Sequence, residues 1–424
     1  MKKIQKNRRK FIKDISKLTL FVLFNQILFS KKNFANKRPK VVVIGLGFGG
    51  ATCVKYLSNF SKILDLVVIE KNEKIQTCPF SNLVIGDIMN YSSITFDPNI
   101  KFNNSNVRYI DSEKKKVFLN DHDALDYDFL ILSPGIGFKK DQIFGYSLDN
   151  DSHVPHCWDG EKKLINFKKR LSSLENNSKI IISAPDYPYR CPPAPYERAS
   201  MIAYYLKKKG LKYKVYVFDS KNSFTKKEIF LQEWKDHYTD SIKWISRDQG
   251  GQIVSLDQKN KIIETSNGTK LQADLIHIIP EQKASNLLSN SNLCNHDWCQ
   301  VNPMTFEVNG QKDIFVVGDS IDAGDMPKSA FSANSQANIL SINLVNLILQ
   351  KDFIDPVFLN TCYSFSSKNR AFSITAWYKL NSSKDRIVSL GSKQSDILSN
   401  HEERFEESQH AYGWYETITK SLYS

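Results

Sequence analysis

No stretch of this sequence approaches the roughly 18 consecutive apolar residues of a membrane-spanning helix. The longest apolar run, Leu18 to Phe29, covers twelve residues and is broken by Asn25 and Gln26. Cys-x-x-Cys is missing too, and with it any Cys-x-x-Cys-His for covalent haem on this chain. Positive charge is scarce outside one end. Residues 1–40 hold thirteen Lys or Arg against Asp14 alone, so +12 of the net +13 lies there and about +1 is left for the other 384 residues. A nearly neutral body disfavours a polyanion-binding surface, and no nucleic-acid partner is expected.

Those first residues read as an export signal over 1–38. The basic stretch Asn7-Arg8-Arg9-Lys10-Phe11-Ile12-Lys13 precedes the short apolar run, and a small-residue cleavage site is weakly marked near Ala35. The order Arg-Arg-x-Phe-Ile-Lys resembles a twin-arginine signal, a route for folded proteins that suits a chain acquiring a cofactor before export. A Sec-type signal or a retained anchor is the alternative. The expectation is a periplasmic protein with no transmembrane segment in the mature chain. Its seven cysteines, Cys53, Cys78, Cys157, Cys191, Cys294, Cys299 and Cys362, are an odd number, which leaves at least one sulfur outside any disulfide framework.

After residue 39 strands alternate with helices. Continuous apolar, β-branched runs at Lys40 to Gly45, Leu66 to Ile69, Asp128 to Leu132, Lys179 to Ser183, Lys214 to Phe218, Leu271 to Ile279 and Ile314 to Val317 predict buried parallel strands. Helices are predicted over 51–60, 161–174, 194–209 and 332–349. The organisation expected is a first dinucleotide-binding domain over 39–150, a second Rossmann-like domain over 151–285, a return to the first over 286–349, and a C-terminal domain over 350–424. That last segment is aromatic and polar, without clear alternation.

Gly45-Leu46-Gly47-Phe48-Gly49-Gly50 follows the first strand. Gly45 permits the tight turn, Gly47 lets the backbone approach a pyrophosphate, and Gly50 allows close helix packing. Glu70, twenty residues beyond at a strand end, is placed to bind ribose hydroxyls. Two later segments turn the reading toward FAD. Tyr127 to Gly135 resembles the strand-and-glycine turn of two-dinucleotide flavoproteins, and Asp313 to Asp319 resembles their distal FAD motif. In that motif Gly318 admits the backbone, Asp319 accepts from the ribityl chain, and the next helix aims its N-terminus at the flavin. The second domain carries no fingerprint. After Ser183 it reads Ala184-Pro185-Asp186-Tyr187-Pro188-Tyr189-Arg190-Cys191-Pro192-Pro193-Ala194-Pro195, whose prolines lack phosphate-binding amides. NAD(P)H is therefore not the expected reductant.

Taken one by one, the remaining candidates have plain alternatives. Cys191 and Cys362 stand 171 positions apart, so spacing does not pair them, and each could be an inert core thiol or half of a structural disulfide. Glu197 could only favour a helix N-terminus, and Trp414 could only fill a core. Cys53 and Cys157 read as packing residues. Cys294, His296 and Cys299 match no common ligand spacing, and no metal site is expected.

Cys78-Pro79-Phe80-Ser81-Asn82, Cys191 to Arg198, Asn360-Thr361-Cys362-Tyr363-Ser364 and Gly413-Trp414-Tyr415 together closely resemble the flavoprotein subunit of flavocytochrome c sulfide dehydrogenase. The resemblance implies an α/β fold with two dinucleotide-binding (Rossmann-like) domains of the disulfide-reductase-like flavoprotein type plus a C-terminal α+β domain. It implies FAD tied to Cys78 by a thioether, a redox-active Cys191–Cys362 disulfide, and Glu197 and Trp414 nearby. It also implies a separate c-type cytochrome subunit carrying the haem. Hydrosulfide attacking such a disulfide would give a persulfide and a thiolate, with flavin between a two-electron donor and a one-electron acceptor. Two other functions compete: a sulfide:quinone reductase-like enzyme at a membrane surface, and a non-catalytic sulfur-carrying or cytochrome-docking flavoprotein. Residues 399–424 are acidic and polar, which argues against the first; intact flavin motifs argue against the second.

Overall fold

The computed structural model describes residues 38–120, 123–148, 154–158 and 160–424; the expected export signal lies outside the described residues. Strand β1 (Lys40–Ile44) is followed by helix α1 (Phe48–Leu57), strand β2 (Asp65–Glu70) and the short helix α2 (Ser81–Ile85). Val41, Val42 and Val43 are all fully buried, as a strand covered on both faces demands. The two-residue strand β3 (Asn103–Asn104) pairs with β2, while β7 (Phe129–Leu132) and β15 (Ile314–Val316) continue the sheet on the other side. The order is β15-β7-β1-β2-β3, every pairing parallel. A meander that the apolar pattern did not announce, β4 (Val107–Asp111), β5 (Lys116–Leu119) and β6 (Ala124–Asp126), lies between β3 and β7.

The second sheet is built from β8 (Ser178–Ala184), β9 (Tyr213–Asp219), β10 (Ile242–Ile245) and β14 (Leu275–Ile278), in the order β10-β9-β8-β14 and all parallel. Its helices are α3 (Glu161–Ser172), α4 (Ala194–Lys208) and α5 (Lys227–Tyr238). A second unannounced meander, β11 (Ile253–Asp257), β12 (Ile262–Thr265) and β13 (Lys270–Gln272), precedes β14. It takes up the start of the single strand read over 271–279. Because β15 rejoins the first sheet, the second is an insertion within the first. Helix α6 (Ala330–Ile348) then packs against α1.

The C-terminal segment is an antiparallel sheet, β16 (Val357–Ser367), β17 (Arg370–Leu380) and β18 (Ile387–Gln394), covered by helix α7 (His401–Tyr423). Asn400 and Glu403 form a capping box, and Glu402 and Glu403 complement the helix dipole. The face turned to β17 carries Arg404, Ser408, Ala411, Tyr415, Thr419 and Leu422, the spacing of one helical stripe. Glu233 of α5 bolts this segment to the second sheet. Its oxygens accept from Arg370 Nε and Nη2 at 3.0 and 2.9 Å, from Arg404 Nε at 3.1 Å and from Ser366 Oγ at 2.6 Å.

Candidate active site

The glycine loop is shaped by close approach. Gly45 has φ +94°, and a Cβ there would sit 2.4 Å from the carbonyl oxygen of Ser133. A Cβ on Gly50 would lie 1.8 Å from that of Gly45, whereas one on Gly47 would meet nothing within 4 Å. Two of these glycines are thus required by the protein's own backbone, and the third opens onto free space at the helix N-terminus, where a phosphate fits. Glu70 braces the loop: Oε2 accepts from the amide of Leu46 at 2.8 Å, and Oε1 from the amide and side chain of Asn72 at 2.9 and 3.0 Å. Three of about four lone-pair sites are used, leaving one for a hydroxyl.

At the ends of the neighbouring strands, Gly135 and Gly318 take φ of +72° and +84°. The Gly318 amide donates to Gln336 Oε1 at 2.9 Å, and Ser320 Oγ donates to the carbonyl of Gly135. Asp319 Oδ1 is buried with no partner among the described residues. Burial pushes this carboxyl up, against the opposing charges of Arg190 and Lys328. A buried acceptor without a donor at a strand end is what a cofactor hydroxyl would satisfy. The residues fit a dinucleotide.

The corresponding place in the second sheet is filled. Asp219, at the end of β9, is fully buried and accepts from Tyr196 Oη at 2.5 Å, Trp244 Nε1 at 2.9 Å and Lys221 Nζ at 2.6 Å. Lys221 Nζ lies 5.1 Å from the ring centres of both Tyr187 and Tyr189, which stack on each other. Beside them, at the C-terminal ends of these strands, Ser183, Pro185, Ser220 and Ile279 line a cavity of only ≈ 40 Å³. Small-ligand sites span about 300–1,000 Å³.

Cysteines from three parts of the chain come within electrostatic reach of one another. Cys191 has φ +61°, its amide donating to the carbonyl of Lys328 at 2.8 Å and its carbonyl accepting from Ala194 at 2.9 Å. Its thiol lies within electrostatic reach of Cys78 and of Cys362 on β16. Burial, then the proximity of Cys78, Cys362 and Glu197, pushes its thiol well up, and Lys226 alone opposes them. All seven cysteines are free thiols here, so Cys191 and Cys362 are neighbours without the expected bond between them. Cys362 Sγ receives Asn360 Nδ2 at 3.4 Å. Glu197, in the first turn of α4, is held rather than loose: Oε2 accepts from Asn82 Nδ2 at 2.6 Å and Oε1 from the amide of Phe365 at 2.9 Å. Burial raises its carboxyl, and these hydrogen bonds with Lys226 and Arg198 only partly offset that.

Beneath this cluster lies Arg198, which the sequence did not single out as a site residue. It is 1% exposed, donates from Nε to Asn82 Oδ1 at 2.9 Å, and stacks over Trp158 at 4.3 Å. His277 Nδ1 meets the carbonyl of Pro155 at 2.7 Å and must donate there, so its Nε2 accepts from Arg198 Nη1 at 2.7 Å. Lys226 was missed as well, because Thr225-Lys226-Lys227 reads as a solvated charge run. Cys78 is half-buried, flanked by Thr77, whose Oγ1 lies 2.6 Å from Tyr415 Oη, and by Phe80, stacked on Tyr415 at 4.2 Å. Trp414 stacks on Phe331 at 6.0 Å and tilts against Tyr363 at 6.1 Å, beside a groove of ≈ 640 Å³ between α1, α6 and α7. Cys53 donates to Ala337, and Cys294 and Cys299 to nearby carbonyls; among the described residues no group of three His, Cys, Asp or Glu gathers as for a metal.

Two family models of one flavoenzyme match this chain. The sulfide dehydrogenase [flavocytochrome c] flavoprotein chain, central, covers residues 165–280, and the flavocytochrome c sulphide dehydrogenase, flavin-binding, covers 354–423. A sulfide dehydrogenase [flavocytochrome c] flavoprotein chain of Chlorobaculum thiosulfatiphilum is 44% identical over 45 residues, 11% of this chain and 94% of that relative. The chain belongs to the flavocytochrome c sulfide dehydrogenase flavoprotein family. Residues 39–171 also match the pyridine nucleotide-disulphide oxidoreductase model. The mitochondrial sulfide:quinone oxidoreductase of Dictyostelium discoideum is 26% identical over 328 residues, 72% of this chain and 70% of that one. The solved sulfide:quinone oxidoreductase of Aquifex aeolicus shares the fold, with TM-score 0.69 at 19% identity over 90% of this chain and 92% of that one. The chain is a flavin-binding oxidoreductase of the sulfide-oxidising type with two Rossmann-type domains. No helix among the described residues is long and apolar enough to cross a membrane.

Proposed function

We propose that this chain is the flavoprotein subunit of an exported, periplasmic sulfide:cytochrome c oxidoreductase, with Cys191 and Cys362 as its redox-active pair. The carrying observation is that Cys78, Cys362 and Glu197 all act on the Cys191 thiol, in one half-buried cluster, while the corresponding place in the second sheet is filled by side chains. The pair alternates between dithiol and disulfide. Hydrosulfide attacks one sulfur of the disulfide, a new S–S bond forms as the old one breaks, and the other sulfur leaves as thiolate. Glu197, with its carboxyl raised by burial, manages protons at the sulfur atoms. FAD when bound supplies what the cysteines lack, accepting electrons in pairs and releasing them singly. Gly45, Gly47, Gly50, Glu70, Gly135, Gly318 and Asp319 would hold it. Cys78 would anchor its ring by a thioether, and Trp414 would stand beside it. The haem belongs to a separate c-type cytochrome subunit.

Anaerobic titration with sulfide, followed by oxidised cytochrome c, tests this. The flavin absorbance should bleach with sulfide, recover as cytochrome is reduced, and ignore NADH. A flavin bleached by NADH and not by sulfide would refute it. The quinone reading draws on the relatives named for that acceptor. Faster recovery with a soluble quinone than with cytochrome c would favour it.

The thioether makes a separate prediction. Acid precipitation should leave the flavin on the unmodified protein and release essentially all of it from Cys78→Ala. Release from the unmodified protein would show that the linkage does not form.

A further inference from the structure

Lys226 is buried in a way that its hydrogen bonds do not explain. It sits at the N-cap of α5 with φ +63°, a left-handed conformation that costs a side-chain-bearing residue energy. That turn sends the side chain inward, leaving the residue 4% exposed. Nζ donates to the carbonyl of Cys362 at 2.9 Å and to Ser364 Oγ at 2.8 Å, and lies 5.3 Å from the ring centre of Phe372. An ammonium has three N–H groups, and these acceptors take two. An uncharged amide could make the same two bonds to β16 without desolvating a cation.

No carboxylate balances the charge directly. Glu197 spends its oxygens on Asn82 and Phe365, and Glu407 Oε1 accepts from Ser395 Oγ at 2.8 Å. Among the described residues no ion pair reaches Nζ of Lys226. The groups acting on it from the elements packed around it are Cys362 on β16, Glu197 on α4, Cys191 on the turn before α4, and Glu407 on α7. Burial lowers its pKa to about 8, with these neighbours opposing the shift. A buried cation without a counter-ion beside two sulfurs is a place for an anion.

We propose that Lys226 is the anion-holding residue of the sulfur site, a positioning cation for hydrosulfide on entry and for the thiolate released by attack. The inference rests on the sulfur chemistry proposed above. In that step HS⁻ forms a bond to one sulfur of the disulfide and keeps its proton, and the electron pair of the broken S–S bond leaves on the other sulfur. One negative charge is present before and after, and Lys226 faces it at both stages. The site therefore favours an anionic sulfur nucleophile over a neutral thiol.

The test uses the reduced holoenzyme and reads alkylation of Cys191 and Cys362 by iodoacetamide against pH, peptide by peptide. Lys226→Gln keeps hydrogen-bonding capacity and removes the charge. Its alkylation midpoint should rise by about one pH unit for at least one of the two cysteines, roughly a tenfold slower reaction near neutrality. Lys226→Arg should stay close to the unmodified protein at neutral pH. It should also keep its advantage above pH 8, where a lysine of lowered pKa loses its charge. Reduction by sulfide should slow by roughly tenfold or more in Lys226→Gln and recover in Lys226→Arg. Midpoints in Lys226→Gln matching those of the unmodified protein would overturn the proposal and leave Lys226 a hydrogen-bonding strut. Should Lys226→Gln fail to fold, the comparison of Lys226→Arg with the unmodified protein above pH 8 decides, and identical profiles overturn it. If the unmodified protein ignores sulfide, the parent reading fails, while the alkylation profiles still report on Lys226.

Discussion

Cys191→Ser and Cys362→Ser should each lower sulfide-dependent flavin bleaching by on the order of 10³-fold or more, with FAD still bound. Either change leaves one thiol and no disulfide for hydrosulfide to attack, and a serine oxygen cannot accept the sulfur. Cofactor retention follows from position. The glycine loop, Gly318 and Asp319 belong to the first sheet, and neither cysteine contributes a hydrogen bond to them. Stopped-flow reduction together with the flavin-to-protein ratio checks both halves. Bleaching within tenfold of the unmodified rate in either variant would remove the pair from the chemistry. Loss of flavin in step with loss of rate would make the cysteines structural.

Glu233→Ala should be the most damaging change away from the site. The carboxylate is 3% exposed and takes four hydrogen bonds from Arg370, Arg404 and Ser366, joining α5 to β16, β17 and α7. Removing it leaves fully buried Arg404 and largely buried Arg370 without their anion, a loss of roughly 3–5 kcal/mol. Burial acts to raise this carboxyl, but the hydrogen bonds from Arg370 and Ser366 and the charges of both arginines hold it down at about 2. An unfolded glutamate titrates near about 4.3. Since the folded value is the lower one, the stabilisation is complete above the unfolded value and is lost as pH falls toward about 2. Urea midpoints at neutral pH and near pH 3 measure this. The gap between the unmodified protein and Glu233→Ala should be widest at neutral pH and shrink in acid. A constant gap would mean that the lost contacts are not ionic.

What could be read from the sequence tracks how each segment buries itself. The parallel strands announce themselves because both faces are covered and the run is continuously apolar, as in Val41 to Ile44 or Ile180 to Ile182. The fingerprint at Gly45 to Gly50 and the motif at Gly318 marked where two of these strands end, while the order of the strands in each sheet came only with the structure. The two meanders did not show, because their strands are only three to five residues long and set single buried residues such as Val117 and Ile263 among half-buried and exposed ones. Helix α7 was missed for a different reason. Its buried stripe is made of Arg404, Ser408, Ala411, Tyr415 and Thr419, so the hydrophobic period is faint, although Asn400 and Glu403 mark its start. At the site, Cys78, Cys191, Glu197 and Cys362 stood out by resemblance to a family, and only folding could bring them together. Arg198 and Lys226 carry no signal of burial, since nothing in the residues around them distinguishes a buried cation from a solvated one.

Helix α7 also reaches the other end of the molecule. Tyr423 Oη donates to the carbonyl of Leu46, 377 positions earlier, at 3.2 Å, and its ring packs edge-on to Phe48 at 6.3 Å. Its own carbonyl accepts from Asn99 at 2.9 Å. The loop that would cradle the cofactor phosphates is therefore fastened by a helix synthesised some 350 residues after it. Until α7 is in place, that loop lacks this contact. A polypeptide interrupted before α7 would carry every glycine of the fingerprint and the Glu70 brace, and still lack the contact that ties Leu46 to Tyr423.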